Sequence, residues 1–577
     1  MLCDRDPVAP EGMLAITGAG GHGALTTAQI LLAALGRAGV HGLLMRAAGP
    51  QIRGGESAAT LRFASRPVAC MADRLDLLLG LDWANVERFV DELPVDADTL
   101  ILQDVASAPP PPCLTECGAR VRALPLAARA AEIPGGRANM VALGAIGGWL
   151  GLSHAVLSAA SARVLASKDA ATRAAAIACL DAGLGLVEQG GCRPVGGAAG
   201  LWNLSGNEAA GLGALRAGVR FVAAYPITPA TELLEWLAPR LPQRDGQLLQ
   251  AEDELAAVNM VIGASFGGAA ALTATSGPGL SLMVEGLGLA VASETPLVVV
   301  DVQRGGPSTG IPTKTEQSDL GLALYGLHGD APHLVLAPLG IADCCFTLEW
   351  AVGLAEHLQT VAIVLSDQAL GQSRAIVDPP PRAPQLPPRL VPDGPLDAPF
   401  QRYAPSVDGR SPMPAPGQSG CRYVAEGLEH DASGTPSSLA ADHRQQLDKR
   451  ARKLDGLDPG PDWAEIRGRG TRCLVTWGSS AGAVFEAAAR LTAAGRPTRV
   501  IALRLIAPLA RAALREALDG AARIWVVELN QDGQLFAHLH AQRVLPPPAR
   551  ALARPGPLAW RPGEIVAAVL DAEETDD

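Results

Sequence analysis

Aromatic residues are scarce: 4 Tyr, 8 Phe and 9 Trp make up only 4% of 577 residues. A chain of this length is expected to fold as three or four domains. Their cores must be assembled from Ala, Val and Leu at close range, with 64 glycines letting helices and strands approach, as in parallel α/β layers. The ten cysteines are scattered; only Cys113-x-x-x-Cys117 and Cys344-Cys345 lie close together, and no Cys-x-x-Cys occurs. That spacing excludes a ferredoxin-like cluster domain within the chain and leaves the thiols as small buried hydrophobes. Concentrated Lys and Arg are missing as well. A formal charge of −12 argues against a nucleic-acid surface. The stretch Met1-Leu-Cys-Asp-Arg-Asp-Pro7 lacks a basic n-region and an apolar h-region, so a cytoplasmic protein without a secretory signal is expected. Residues 139–161 and 260–292 are apolar by count, but polar residues are spaced through them; they read as buried helices, not membrane spans.

What is present concentrates between residues 221 and 279. Phe221-Val-Ala-Ala224 is a short apolar strand that stops at Tyr225-Pro226, because the residue before a proline leaves the α region and proline cannot donate to a ladder. Pro226 and Pro229 flank Thr228, whose hydroxyl is thereby held on a stiff turn at the carboxyl end of a strand, where open α/β sheets bind ligands. Glu254 opens a helical run that is apolar on every face, which predicts a buried helix. A carboxylate in its first turn gains from the helix dipole but, short of water, needs a specific partner. Ala270–Thr275 is a second strand, and Ser276-Gly-Pro-Gly279 turns it into the next apolar helix. Taken singly, these residues have plainer readings: Thr228 satisfying backbone groups in a turn, Glu252 or Asp253 taking the part of Glu254, Lys314 a surface lysine.

Upstream, Met13–Thr17, the turn Gly18-Ala-Gly-Gly-His-Gly23, a helix over Ala24–Arg37 and a strand near His41–Arg46 form a βαβ unit. Its glycines fit a dinucleotide fingerprint, yet the second strand ends in Arg46-Ala-Ala-Gly-Pro with no carboxylate for ribose hydroxyls; Arg46 leaves open an NADP variant. Downstream, repeated prolines from Pro379 to Pro416 predict an extended surface crossing, and the charges of His443–Lys453 a solvated helix face. From Thr471 strands and helices alternate again, and the turn Glu528–Gly533 carries Asn530 for turn chemistry or a ligand contact.

Together, Tyr225-Pro-Ile-Thr-Pro229, Glu254 opening a Gly/Ala-rich helix, Thr273-Ala-Thr-Ser-Gly-Pro-Gly279 and Gly310-Ile-Pro-Thr-Lys-Thr-Glu-Gln-Ser-Asp319 resemble the alpha subunit of 2-oxoacid:ferredoxin oxidoreductases. The Gly18–Gly23 turn, Pro50-Gln-Ile-Arg-Gly-Gly-Glu-Ser57 and Asn139-Met-Val-Ala-Leu-Gly144 resemble the gamma subunit of the same enzymes, fused ahead of alpha. The resemblance implies a multidomain α/β protein: a Rossmann-like gamma domain over 1–190, a linker at 191–203, a pyrimidine-binding domain over 204–378, a connecting segment over 379–468 and a transketolase C-terminal-like domain over 469–577. It implies that Glu254 hydrogen-bonds the pyrimidine N1′ of thiamine diphosphate beside Tyr225 and Pro226, that Thr228 lies at the 2-oxo acid and that Lys314 faces its carboxylate. Arg53 and the glycines after it would offer a cation and amides to a coenzyme A phosphate, or are simply a turn.

The resembled enzymes anchor the cofactor diphosphate and Mg²⁺ through Gly-Asp-Gly followed by Asn, and this sequence has no Gly-Asp-Gly. A beta-subunit partner carrying Mg²⁺ and a 4Fe–4S cluster is therefore expected, in an (alpha–beta)2 heterotetramer that passes electrons to ferredoxin and an acyl group to coenzyme A. The uninterrupted fusion with Pro312-Thr-Lys-Thr-Glu-Gln-Ser-Asp319 looks most like the 2-oxoglutarate branch of the family, a resemblance that implies 2-oxoglutarate as substrate; pyruvate and branched-chain acids stay open. A nonoxidative thiamine diphosphate enzyme subunit and a noncatalytic nucleotide-binding scaffold are the alternatives.

Overall fold

A computed structural model describes residues 11–48, 56–190, 194, 196–392, 399–547 and 549–574. The chain divides into two compact units. The first comprises Met1–Ser205, Gln372–Pro379 and Trp560–Ile565. Its eight-stranded sheet runs in the order Arg120–Leu124, Leu100–Asp104, Leu77–Gly80, Glu11–Ala19, Glu56–Ala64, His41–Ala48, Arg374–Val377, Trp202–Ser205. Successive side chains of a strand point to opposite faces. Leu14 and Ile16 accordingly enter a core with the helix Ala24–Arg37, while Met13 and Ala15 enter a second core with Leu75, Leu78 and Phe89. Covered on both faces, the strand reads as a continuous apolar run.

Close helix contacts replace the missing aromatics. Gly144 of the helix Ala138–Trp149 lies against the Leu180 carbonyl, and Gly183 of the helix Ala170–Gly183 against the Val141 carbonyl, with no room for a Cβ at either. The expected strand–helix–strand unit forms, but Glu56–Ala64 is inserted antiparallel between its two strands, Leu61 facing both Leu14 and Leu44. A dinucleotide fold sets those two strands side by side, so the fingerprint reading of the glycine turn loses its geometry.

The sheet also crosses the expected domain limits. Arg374 lies opposite Leu44 on one side and Ser205 on the other, so residues 202–205 and 372–379 complete the first unit.

The second unit comprises Gly206–Gly371, Pro380–Ala559 and Val566–Asp577, so 206–371 and the C-terminal sheet share one compact body. Its seven-stranded sheet has the order Leu505–Ala507, Leu334–Leu336, Val361–Asp367, Leu297–Gln303, Ala271–Thr275, Phe221–Ala224, Gln247–Gln250, parallel except for the Leu505–Ala507 edge. The chain leaves Phe221–Ala224 for the neighbour Gln247–Gln250 on one side, then returns past it to Ala271–Thr275 on the other. That reversal is a topological switch point. A five-stranded sheet, Ala464–Arg467, Thr498–Leu503, Arg472–Trp477, Arg523–Glu528, Ala549–Ala553, completes the unit. No described helix in either unit is long and apolar enough to cross a membrane.

The connecting segment differs from its expectation. Its described proline-bearing residues form no helix or strand, but Arg389 inserts between Glu356, at 2.6 and 2.7 Å, and the Ser265 carbonyl at 2.6 Å. The helix Ala440–Asp455 is not a solvated charge face either, since it buries Gln446, Lys449, Arg450 and Lys453. Lys449 reaches Glu294 at 2.5 Å, Lys453 pairs with the same carboxylate, and Arg402 donates to the Glu294 carbonyl at 2.9 Å. Composition predicted solvation because charge is usually exposed; one buried carboxylate reverses that here.

Burial raises the Glu294 carboxyl, but Lys453, Lys449 and Arg402 together outweigh it and hold the group far below its ordinary range. Each lysine shares a single counter-charge and is cut off from water, so burial pulls Lys449 down to about 7 and Lys453 to about 8 despite the pull of Glu294 in the other direction. Glu294→Gln leaves buried cations uncompensated and is expected to cost about 3–5 kcal/mol, read by denaturant unfolding. Unfolded lysine binds more protons than these folded ones, so the deficit should shrink as pH rises from neutral through the folded values of about 7 and 8. A loss within error of zero would contradict the network.

Candidate active site

The carboxyl ends of Phe221–Ala224, Gln247–Gln250 and Ala271–Thr275 each lead into a segment marked by sequence, and all three meet at the switch point. After the first, Tyr225 is exposed and Pro226 and Thr228 are half-buried. Arg304, directly after Leu297–Gln303, donates from Nη1 to the Thr228 carbonyl at 2.6 Å. The Thr228 hydroxyl has no hydrogen-bond partner among the described residues, so its turn is held by the backbone and the side chain is left over.

After the second strand come three carboxylates in a row, and the helix start sorts them. Asp253 is the N-cap, accepting from the Ala256 N–H at 2.7 Å. Glu252 and Asp253 are exposed, whereas Glu254 is the first helical residue and only 6% exposed. Its carboxylate has no hydrogen-bond partner among the described residues. It packs on the first turn of the next helix, where a Cβ on Gly279 would stand 2.7 Å from Glu254 Oε1 and closer still to Thr275 Oγ1. The helix Glu254–Phe266 is not apolar-and-buried all round, as its composition predicts: Leu255 is 49% and Met260 42% exposed, and Asn259 and Gly263 share that outer side.

After the third strand, Ser276 leads into the helix Gly277–Ala292 that carries Gly279, and the neighbouring strand Leu297–Gln303 leads into the loop 305–319. The Gly305 N–H donates to the Lys314 carbonyl at 3.1 Å, and the Lys314 N–H to the Ile311 carbonyl at 3.1 Å. Consecutive residues Arg304 and Gly305 thus hold the Thr228 turn and the Lys314 loop. Lys314 itself is half-buried.

Four residues of this site were not singled out from sequence: Arg304, Asp301, Gln317 and Asp319. Gln317 is fully buried; its Nε2 donates to the Trp477 carbonyl at 3.0 Å, and its Oε1 accepts from Ser480 Oγ and the Leu529 N–H, both at 2.9 Å. It fastens the loop to the strand ends of the five-stranded sheet. Asn530 belongs to the same fastening, donating to the Gln317 carbonyl at 3.2 Å and to Glu528 at 2.7 Å while fully buried, which is turn chemistry rather than a ligand contact. Glu316 accepts from the Gly306 N–H at 3.2 Å. The motif around Lys314 was legible, but spacing alone does not separate its structural members from its exposed ones.

In the first unit, the two glycine-bearing motifs meet. Asn139 Nδ2 donates to Thr27 Oγ1 at 3.2 Å, Thr27 Oγ1 donates to the Gly23 carbonyl at 3.0 Å, and Gly23, at φ +83°, has Asn139 where a Cβ would stand. Arg53 lies outside the described residues.

Comparison with known proteins follows this division. Residues 212–449 match the family described as "Pyruvate flavodoxin/ferredoxin oxidoreductase, thiamine diP-bdg", and residues 13–186 match "Pyruvate ferredoxin/flavodoxin oxidoreductase". The 2-oxoglutarate synthase subunit KorA of Methanothermobacter marburgensis is 36% identical over 378 residues, 64% of this chain and 98% of that protein. The 2-oxoglutarate oxidoreductase subunit KorA of Mycobacterium tuberculosis is 39% identical over 343 residues, 58% of this chain and 52% of that one. A solved 2-oxoglutarate:ferredoxin oxidoreductase from Magnetococcus marinus, with 2-oxoglutarate, coenzyme A and succinyl-CoA bound, superposes with a TM-score of 0.89 at 33% identity, covering 98% of this chain and 99% of that chain.

The packing around Glu254 makes its own prediction. Gly279→Ala forces a methyl against Thr275 and Glu254 and should lower stability by about 1–3 kcal/mol through overpacking. Gly263→Ala, on the outer side of the neighbouring helix with nothing within 4 Å of the added carbon, should raise it by up to about 1 kcal/mol. Chemical unfolding of both variants checks the pair; equal shifts would contradict the close approach at Gly279.

Proposed function

The chain belongs to the 2-oxoacid:ferredoxin oxidoreductase family, and from that premise we propose that it is the fused gamma–alpha subunit of an enzyme that decarboxylates 2-oxoglutarate oxidatively to succinyl-CoA. The observation that carries the reading is Glu254. A carboxylate in a buried first turn, without a hydrogen-bond partner among the described residues, fits a ring nitrogen brought by a ligand better than it fits a structural role. Thiamine diphosphate, when bound, supplies the carbanion equivalent that attacks the 2-oxo carbon. Glu254 would hydrogen-bond its pyrimidine N1′, with Tyr225 and Pro226 beside the ring. The free Thr228 hydroxyl is available to the 2-oxo acid, and Lys314 neutralises a substrate carboxylate as a point charge, without the two-pronged grip of an arginine. In the first unit, Arg53 is assigned to a coenzyme A phosphate.

The remaining parts are assigned to a partner. With no Gly-Asp-Gly and no Cys-x-x-Cys in the sequence, the diphosphate and Mg²⁺ site and the iron–sulfur cluster fall to a beta subunit, in an (alpha–beta)2 heterotetramer that reduces ferredoxin in the cytoplasm. The gamma-like assignment is made for residues 1–190 of the first unit, and the pyrimidine-binding, connecting and transketolase-like assignments for the segments of the second, Gly206–Gly371, Pro380–Ala559 and Val566–Asp577.

The test is reconstitution. The chain alone should not reduce a viologen with 2-oxoglutarate and coenzyme A; with a partner carrying Gly-Asp-Gly and clustered cysteines it should, and with 2-oxoglutarate better than with pyruvate. Turnover by the isolated chain would overturn the reading. In the assembled enzyme, Lys314→Ala should raise KM by the equivalent of about 1.5–3 kcal/mol, the worth of a charged hydrogen bond lost equally from ground and transition states. An unchanged KM would return Lys314 to the surface.

A further inference from the structure

Behind the Thr228 turn lie two carboxyl groups to which no role has yet been given. Asp301, in the strand Leu297–Gln303, is fully buried, and neither carboxylate oxygen finds a donor among the described residues. Asp319 ends the 305–319 loop, with its N–H on Gln303 Oε1 at 3.1 Å and one sealed oxygen likewise without a donor. The two side chains lie within hydrogen-bonding reach of each other. Arg304, buried, lies within electrostatic reach of both, its Nη1 on the Thr228 carbonyl and its Nε without a partner among the described residues.

Two like charges this close and this dry cannot both persist. One proton between them leaves a single negative charge, which balances the guanidinium of Arg304. The position of that charge follows from the surroundings. Asp319 lies against Gly277, the first residue of the sixteen-residue helix Gly277–Ala292, where a Cβ would be 2.5 Å from Asp319 Oδ1. The amino end of that helix favours an anion, so Asp319 is the carboxylate and Asp301 the acid that donates to it.

We propose that Asp301 and Asp319 hold one proton between them and, through Arg304, act as the positioning device that keeps the Thr228 turn and the Lys314 loop in register for the 2-oxo acid. The inference rests on the proposed function for its substrate, but not for the pair itself. The groups acting on Asp319 are Arg304, Asp301 and Glu316, the last accepting from the Gly306 N–H at 3.2 Å and the Gly556 N–H at 3.3 Å. Burial, with Glu316, raises Asp319 to about 6, and burial, with Asp319, raises Asp301 well above its ordinary value. Below about pH 6 the second proton arrives, Arg304 loses its counter-charge and the turn loses its anchor.

Two measurements test the pair. Infrared difference spectra of the full chain at neutral pH, parent minus Asp301→Asn, should contain the C=O stretch of a protonated carboxyl; its absence means that both groups are ionised and overturns the proposal. In the assembled enzyme, log kcat/KM for 2-oxoglutarate should show an acid limb near pH 6. Asp319→Asn should abolish that limb and lower kcat/KM roughly ten- to a hundred-fold, mainly through KM, because the turn is misplaced. Asp301→Asn keeps a neutral donor to the Asp319 carboxylate and should leave the limb near pH 6, whereas Asp301→Ala removes that donor and should move the limb to higher pH. Should Asp319→Asn fail to fold, the Asp301→Ala shift decides alone. Asp319→Asn and Asp301→Ala losing stability while the limb stays in place would reduce the pair to packing. An assembled parent inert towards every 2-oxo acid would overturn the proposed function instead, and the infrared band would still decide whether the proton is shared.

Discussion

A buried guanidinium has to be answered by charge and by acceptors, and Arg304 is where this molecule meets that demand. It donates to the Thr228 carbonyl, faces Asp301 and Asp319, and is followed by Gly305, whose N–H holds the carbonyl of Lys314. Because Arg304 follows the central strand Leu297–Gln303, the turn and loop it ties together are fixed to the stiffest part of the sheet. Gln317 extends the same logic to the second sheet of the unit, answering the Trp477 carbonyl and the Leu529 N–H with one side chain. The region is built as a small polar network inside an apolar frame, where each member is costly if left unpaired. The Glu254 carboxylate and the Thr228 hydroxyl, which have no hydrogen-bond partner among the described residues, stand outside that network.

Much of this was legible because parallel strands buried on both faces write themselves as apolar runs. Phe221–Ala224 lies where the sequence puts it, as does the helix Ala24–Arg37, and strands and helices do alternate from Thr471 onward. The proline-framed turn at Thr228 was readable for the same reason: its constraint is local. What failed was non-local. The strand Arg374–Val377 pairs with His41–Ala48, more than three hundred residues upstream, and no periodicity carries such a partnership. Lys449 and Lys453 look like solvent-facing residues until Glu294, far back in the chain, is known to lie beneath them.

The outer side of the helix Glu254–Phe266 taught a related lesson. Composition could say only that the helix is apolar; it could not distinguish residues covered within this chain from Leu255 and Met260, which this chain leaves uncovered. Among Glu252, Asp253 and Glu254 the sequence favoured Glu254 by resemblance but held no local signal that ruled out its two neighbours. Helix geometry makes them unequal, since the N-cap carboxylate is spent on Ala256 and the next residue turns inward.

The account depends most on Glu254 being the group that activates the cofactor. The direct measurement is exchange of the thiamine C2 proton with D₂O in the enzyme assembled with its partner, followed by NMR after acid quench, for the parent, Glu254→Gln, Glu252→Gln and Asp253→Asn. The account predicts slowing on the order of 10²–10⁴ for Glu254→Gln, the usual span of an acid–base contribution, with the two exposed neighbours exchanging like the parent. Exchange in Glu254→Gln as fast as in the parent would contradict it.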